Sequence, residues 1–159
     1  MNGRHFRAGV GAVIYNQDGA VVLWRRATPP TGTWQFQQGG IDAGEEPQQT
    51  LWRELTEETG LTEADFATVT EFPDWTLQVY PPEILHQPDQ PNPDRLGQVH
   101  RWWLLELKPG VAINLDTASD DEFDDYRFVT WEEAITTATS YKAAIYQKLY
   151  SYYQNHIAT

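Results

Sequence analysis

The stretch from Pro47 to Gly60 constrains the fold most. Pro47 suits the first position of a helix, where an N–H would go unpaired anyway, and Gly60 suits the left-handed cap that ends one. Between them Leu51 and Leu55 stand four apart and form a stripe that must meet a core. Glu54, Glu57 and Glu58 fall at i, i+3 and i+4, so they share a different face. A helix with an apolar stripe and an acidic face has to lie against a larger body.

The flanking sequence predicts a sheet as that body. Val10 to Tyr15 is short, apolar and β-prone, Asn16 to Gly19 has turn chemistry, and Val21 to Arg26 reads as a second strand, so a hairpin is expected. Ala27 to Thr33 is loop, and Trp34-Gln35-Phe36 is a short strand running into Gly39-Gly40. Trp75 to Tyr80, Trp102 to Leu107 and Tyr126 to Val129 read as further strands. His86 to Arg95, with its prolines, is a surface loop. Trp131 to Thr137 and Lys142 to Tyr153 read as helices, the second with Ile145, Leu149 and Tyr152 or Tyr153 as its apolar stripe. Strands, helix, strands, helices in that order imply a mixed sheet covered by helices, in one α/β (α+β) domain over residues 1–159.

Composition narrows the function. The chain has 159 residues and no cysteine, which excludes disulfides, thiolate catalysis and Cys-built zinc sites. Its start lacks the apolar core of a signal peptide and no run approaches the ~18 apolar residues of a membrane span, so a cytoplasmic protein without membrane partners is expected. Lys and Arg number 11 against 23 Asp and Glu, a net charge of −12. Non-specific nucleic-acid binding needs basic surface, so it is not expected here. Oligomeric state cannot be read from these residues.

The acidic helix face carries the chemistry. Like charges there repel by a few tenths of a kcal/mol per pair, and Arg53 is the only nearby cation in the sequence. A hard divalent cation, Mg²⁺ or Mn²⁺, would resolve the conflict, since both prefer carboxylate oxygens. A solvated acidic face is the plain alternative in so acidic a chain. Gly39-Gly40, where backbone can approach a ligand closely, and Arg53, whose planar fork can hold a carboxylate, favour a site.

Gly39, Glu45, Arg53, Glu54, Leu55, Glu57, Glu58, Gly60 and Leu61 match the fixed positions of the pattern G-x5-E-x7-R-E-U-x-E-E-x-G-U, with U aliphatic. The chain thereby resembles the Nudix family. The likeness runs from about Phe6 to Tyr153, and the chain looks like the bacterial RNA pyrophosphohydrolases and the related dinucleoside polyphosphate hydrolases. Phe6-Arg7-Ala8-Gly9-Val10-Gly11, Trp34 to Ile41, Gly97 to Trp102, Ala112 to Leu115, Glu122-Phe123 and Ser140 to Tyr146 all have counterparts there. Departures are Gln37 in place of Pro, Gly9 in place of Asn, and Gln78 in place of a Tyr that lies near the nucleobase in relatives.

The resemblance implies an α/β/α sandwich around a mixed sheet, and a hydrolase of phosphoanhydride bonds that uses Mg²⁺ or Mn²⁺. The substrate would be 5′-triphosphorylated RNA, left as 5′-monophosphate RNA, or a dinucleoside polyphosphate. It implies metal ligands at Glu54, Glu57, Glu58 and Glu122 and the carbonyl of Gly39. Glu54 is the first choice of base and Glu57 the second, with Arg53 beside them; Glu45, Gly40 and Gly60 support the loop and helix. Arg7, Arg26 and Lys142 would meet phosphate, with Arg25 and Arg101 as weaker candidates, because guanidinium matches phosphate oxygens. Gln78 and Tyr80 would lie near the base. Because Gln78 cannot stack, base identity is expected to matter little. His100 is expected as a polar pocket residue, His5, His86 and His156 at solvent, and most tryptophans in the core. Two rivals are a nucleotide-sensing module without catalysis, against which the complete carboxylate set argues, and a house-cleaning nucleoside triphosphatase.

Overall fold

The computed structural model describes residues 3–85, 92 and 94–158. Its spine is a parallel ladder between β1 (His5–Tyr15) and β7 (Arg95–Leu107), in register from Phe6 opposite Gly97 to Tyr15 opposite Glu106. From Val10 to Tyr15 every residue of β1 is buried, as a strand covered on both faces should be. On one face Val10, Ala12, Ile14 and Trp24 pack against Leu51 and Leu55 of α1 (Pro47–Thr59). On the other Val13, Leu23, Phe36, Trp102 and Leu104 meet α3 (Trp131–Thr137) and α4 (Ser140–His156) through Trp131, Ala134, Ile145, Tyr146 and Leu149. The expected three layers, helix, mixed sheet and helices, are therefore present, with eight strands in the sheet.

The hairpin is the main correction. Its turn forms: Asn16 N–H donates to Ala20 O at 3.0 Å, and Gly19 adopts φ +79°. The strands that leave it separate at once, with Tyr15 opposite Val21 as their one paired position. β1 then takes β4 (Gln37–Gly40), while β2 (Val21–Arg26) takes β8 (Phe123–Val129) and β3 (Trp34–Gln35). Phe36 sits where the chain crosses from β2 to β1. Its N–H, out of the ladder there, donates to the buried Tyr146 hydroxyl at 3.0 Å.

Two strands start earlier than the sequence suggested, β1 at His5 and β7 at Arg95, because their first residues lie outside the core: Phe6, Arg7 and Ala8 are exposed and Arg95 and Leu96 half-buried. The strand β5 (Phe66–Glu71) was not expected; it is an edge strand with one buried residue, Phe66. β5 and β6 (Thr76–Val79) share β7 as partner, one along each half. A single turn of helix, α2 (Pro82–Leu85), follows β6. Residues 86–91 and 93 of the expected loop, His86 included, lie outside the described residues. Of the described helices none is long and apolar enough to cross a membrane.

Candidate active site

A cavity of about 850 Å³ opens between the sheet, α1 and the start of α4. It gathers Gly39, Glu54, Glu58 and Glu122 from the expected catalytic and metal positions, with Gly40 from the supporting loop. From the expected substrate positions it gathers Arg7, Arg26, Gln78, Tyr80 and Lys142. Arg53, Glu57, Glu45 and Gly60 stand behind this wall.

At the acidic end, Glu54 leans on the backbone of Gly39, where any Cβ would collide with its carboxylate arm. Glu58 is 3% exposed, because it lies seven residues past Leu51 and three past Leu55 and so ends the core stripe. Gln37 Nε2 donates to Glu58 Oε2 at 2.7 Å. Burial raises the carboxyl pKa of Glu58 well above the ordinary range, and the hydrogen bond with Glu54 adds to the rise. Carboxylate oxygens of Glu58, Asp120 and Glu122 lie within 4.8 Å of one another. Asp120 was not singled out in the sequence, being one acid in a run of them. Ser119 and Asp120 N–H both donate to Glu57 O at 3.0 Å, which pins that run beside α1. Burial also raises the pKa of Glu122, against the opposing pull of Arg26.

Behind the wall, Arg53 organises a second set of acids. Its Nε donates to Glu45 Oε2 at 2.6 Å and its Nη2 to Glu45 Oε1 at 2.8 Å. Its Nη1 reaches Glu54 Oε1 at 3.1 Å and Glu57 Oε2 at 3.2 Å. Glu45 in turn accepts from Asp42 N–H and from Thr50 Oγ1, which closes the loop before α1. Arg53 and these donors hold the Glu45 pKa down at about 2. The αL conformation of Gly60, at φ +79°, ends the helix.

The basic residues divide. Arg26 Nη1 pairs with Glu122 at 3.2 Å, and Nη2 donates to Thr28 Oγ1 and Pro29 O at 3.0 Å. Lys142, in the first turn of α4, reaches Gln35 Oε1 at 3.3 Å. Burial, then the charge of Arg26, lowers its amine to about 8. Arg7 lies over Gly40, where a side chain would overlap its guanidinium. Arg25 and Arg101 turn away instead: Arg25 pairs with Asp124 at 2.7 Å and Arg101 with Glu71, so the structure does not bring these two to the cavity.

The far end of the cavity is built from Gln78, Gln98, His100 and Tyr80. Gln78 and His100 are 3% and 1% exposed. Gln98 Nε2 donates to Tyr80 Oη at 2.8 Å, and the Tyr80 and Tyr141 rings stand edge to face at 6.1 Å. Burial, helped by the charges of Lys142 and Arg7, lowers His100 to about 3, so its ring is neutral. Gln98 and Tyr141 lie in stretches that have counterparts in relatives but were given no role of their own, because neither belongs to a periodic or charged pattern.

The donor set of the acidic end is all hard oxygen, and Glu58 has no cationic partner among the described residues. These residues fit a hard divalent cation. An α/β/α sandwich that sets such a carboxylate group against Arg and Lys in one cavity defines an enzyme for anionic, phosphate-bearing substrates. The chain belongs to the Nudix family: the NUDIX domain model matches residues 5–149. It is 37% identical over 145 residues to the RNA pyrophosphohydrolase of Shewanella woodyi, covering 91% of this chain and 82% of that one. The RNA pyrophosphohydrolase of Francisella tularensis subsp. mediasiatica is 35% identical over 154 residues and 96% of each chain. In fold, the chain is similar to a C. elegans Ap4A hydrolase (TM-score 0.66, 21% identity, 92% of this chain and 98% of that one). It is also similar to the E. coli dihydroneopterin triphosphate pyrophosphohydrolase (TM-score 0.68, 18% identity, 90% and 95%). The chain is a hydrolase of phosphoanhydride bonds, and its family uses divalent metal ions.

Proposed function

We propose that the protein removes pyrophosphate from the 5′-triphosphate end of RNA and leaves a 5′-monophosphate. The observation that carries this reading is the cavity's charge layout. In a chain of net charge −12, four of the 11 Lys and Arg residues (Arg7, Arg26, Arg95 and Lys142) line the cavity that also holds Glu54, Glu58 and Glu122. The relatives that share most of the chain's length carry the name RNA pyrophosphohydrolase.

Glu58, Asp120, Glu122, Glu54 and the carbonyl of Gly39 would hold Mg²⁺ or Mn²⁺, with Glu57 next to them on α1. Bound there, the cation neutralises phosphate charge and makes a coordinated water more acidic. Glu54 takes the proton from the attacking water, and Arg53 holds its carboxylate in place through Nη1. Arg53 is thus a positioning residue, and Glu45 positions Arg53. Arg7, Arg26 and Lys142 bind the phosphate oxygens and hold phosphorus for attack. Because Arg26 is tied to Glu122, Thr28 and Pro29, it also keeps the loop of residues 27–33 against the cavity.

The test is a substrate panel with product analysis: triphosphate RNA, a dinucleoside polyphosphate, nucleoside triphosphates and a sugar nucleotide, each with Mg²⁺ or Mn²⁺. Triphosphate RNA should give monophosphate RNA with the highest kcat/KM. Faster cleavage of the dinucleoside polyphosphate would move the assignment to that class, and faster cleavage of free triphosphates would overturn it.

A further inference from the structure

Buried polar atoms without a partner are uncommon, because each costs about 1–3 kcal/mol. Among the described residues eight such side-chain atoms occur, and five of them belong to residues that line this one cavity. Two sit at its far end, on neighbouring strands: Gln78 Oε1 on β6 and His100 Nδ1 on β7. The ladder pairs Gln78 with Gln98 and Thr76 with His100, so these side chains project from the same sheet face. The other ring nitrogen of His100 lies 3.4 Å from Gln38 Nε2, which leaves Nδ1 as the atom for a ligand. Neighbouring backbone is cut back beside His100: at Gly9 a Cβ would press on its ring. Among the described residues no carboxylate lines this end, and the aromatic rings of Tyr80 and Tyr141 edge it.

We propose that Gln78 and His100 are specificity-determining residues that read the hydrogen-bonding edge of the substrate's terminal nucleobase. Gln78 Oε1 accepts from a base N–H, and His100 Nδ1 completes a second bond at the same edge. This rests on the reading of the cavity as a nucleotide site. It reverses the expectation of base indifference that came from the missing Tyr, since an amide that cannot stack can still discriminate. A site that hydrogen-bonds its ligand rejects analogues that leave those groups unpaired more strongly than an apolar pocket rejects a change of size.

The test measures binding of the four nucleoside 5′-monophosphates to the full chain without metal, beside turnover of triphosphate RNAs that differ only in the first base. Wild type should show at least a tenfold spread between the best and worst base in both assays. Gln78→Met, which keeps length and removes the amide, should reduce the spread below threefold, and His100→Leu should do the same independently. Each variant is checked by its melting curve. Equal affinity for the four bases in wild type overturns the inference, as does failure of all four to bind, or a spread that persists in both variants. If binding shows a Gln78-dependent spread but no anhydride is cleaved, base reading stands and the enzymatic reading falls. If triphosphate RNA is cleaved equally for every first base, the enzymatic reading stands and base reading falls.

Discussion

Two groups of carboxylates flank α1, and they are balanced in opposite ways. Glu45, Glu54 and Glu57 surround Arg53, which reaches each of them within 3.2 Å. Carboxylate oxygens of Glu58, Asp120 and Glu122 lie within 4.8 Å of one another, and among the described residues Glu58 meets the amide of Gln37 and another acid, Glu54, but no cation. The first group is complete within the chain and sets the loop and the helix face. The second is left with surplus acceptors, and burial raises Glu58 and Glu122 toward their neutral forms. The difference teaches where in an acidic protein to look for a cation: at the cluster with the smaller internal counter-charge, here Arg26 on Glu122 among the described residues. Glu54 belongs to both, held by Arg53 on one side and facing the cavity on the other.

Breaking that shared member should have the largest effect. Glu54→Gln is expected to lower kcat by ~10² to 10⁴, the range for a positioned base, with circular dichroism unchanged. Near-normal turnover would remove Glu54 from the chemistry. Next, the two clusters should separate under added metal. Saturating Mg²⁺ at a hundredfold above its Kd should stabilise wild type by about 2.7 kcal/mol, and a chelator should abolish both that gain and activity. In Glu58→Gln most of the gain should vanish, while the metal-free protein should melt no lower than wild type. A lower metal-free melting point would mean that the buried carboxylate is satisfied within the chain.

Glu45→Gln should do the reverse, lowering the metal-free melting temperature by a few degrees and keeping the Mg²⁺-dependent gain. Its pH signature has a definite sign. The Glu45 pKa is depressed in the fold from 4.5 to about 2, so its stabilisation is present above about 4.5 and is lost as pH falls through about 2. The difference in melting temperature between wild type and Glu45→Gln should therefore shrink across that window. The smallest effect concerns the basic wall. The Lys142 amine loses its proton near pH 8, so phosphate binding weakens as pH rises through that value. KM should rise severalfold between about pH 7 and pH 9, and Lys142→Met should flatten the rise.

Arg53, Glu54, Glu57 and Glu58 were legible because their spacing is fixed by one helix, and the helix bounds and core stripe follow from Pro47, Gly60, Leu51 and Leu55. Glu58 was legible as an acid but not as a buried one, although its place seven residues past Leu51 carried that signal. Asp120 was hidden among equivalent neighbours, and only tertiary hydrogen bonds to Glu57 O single out its stretch. The strands around the turn at Asn16 to Gly19 were found, but their partners were not. A turn fixes where the chain reverses, while the choice between β2 and β4 as neighbour of β1 is made by the packing of Phe36 and Tyr146. His100 and Gln78 gained their meaning from burial and missing partners, which no local pattern encodes.

The long ladder between β1 and β7 also bears on how the molecule assembles in time. It joins Val10 to Arg101 and Tyr15 to Glu106, segments about 91 residues apart in the chain. Closing so long a loop carries an entropic cost before any pairing rewards it, and pairings of this separation slow folding. Helix α1 and its Arg53 network are local and can form early, since Glu45 to Glu57 span one short segment. Glu58 meets Asp120 and Glu122 only once the start of β8 has paired with the end of β2. A nascent chain would thus present its acidic helix well before it possessed a metal cage, and hydrolytic competence would arrive as one of the last events of folding.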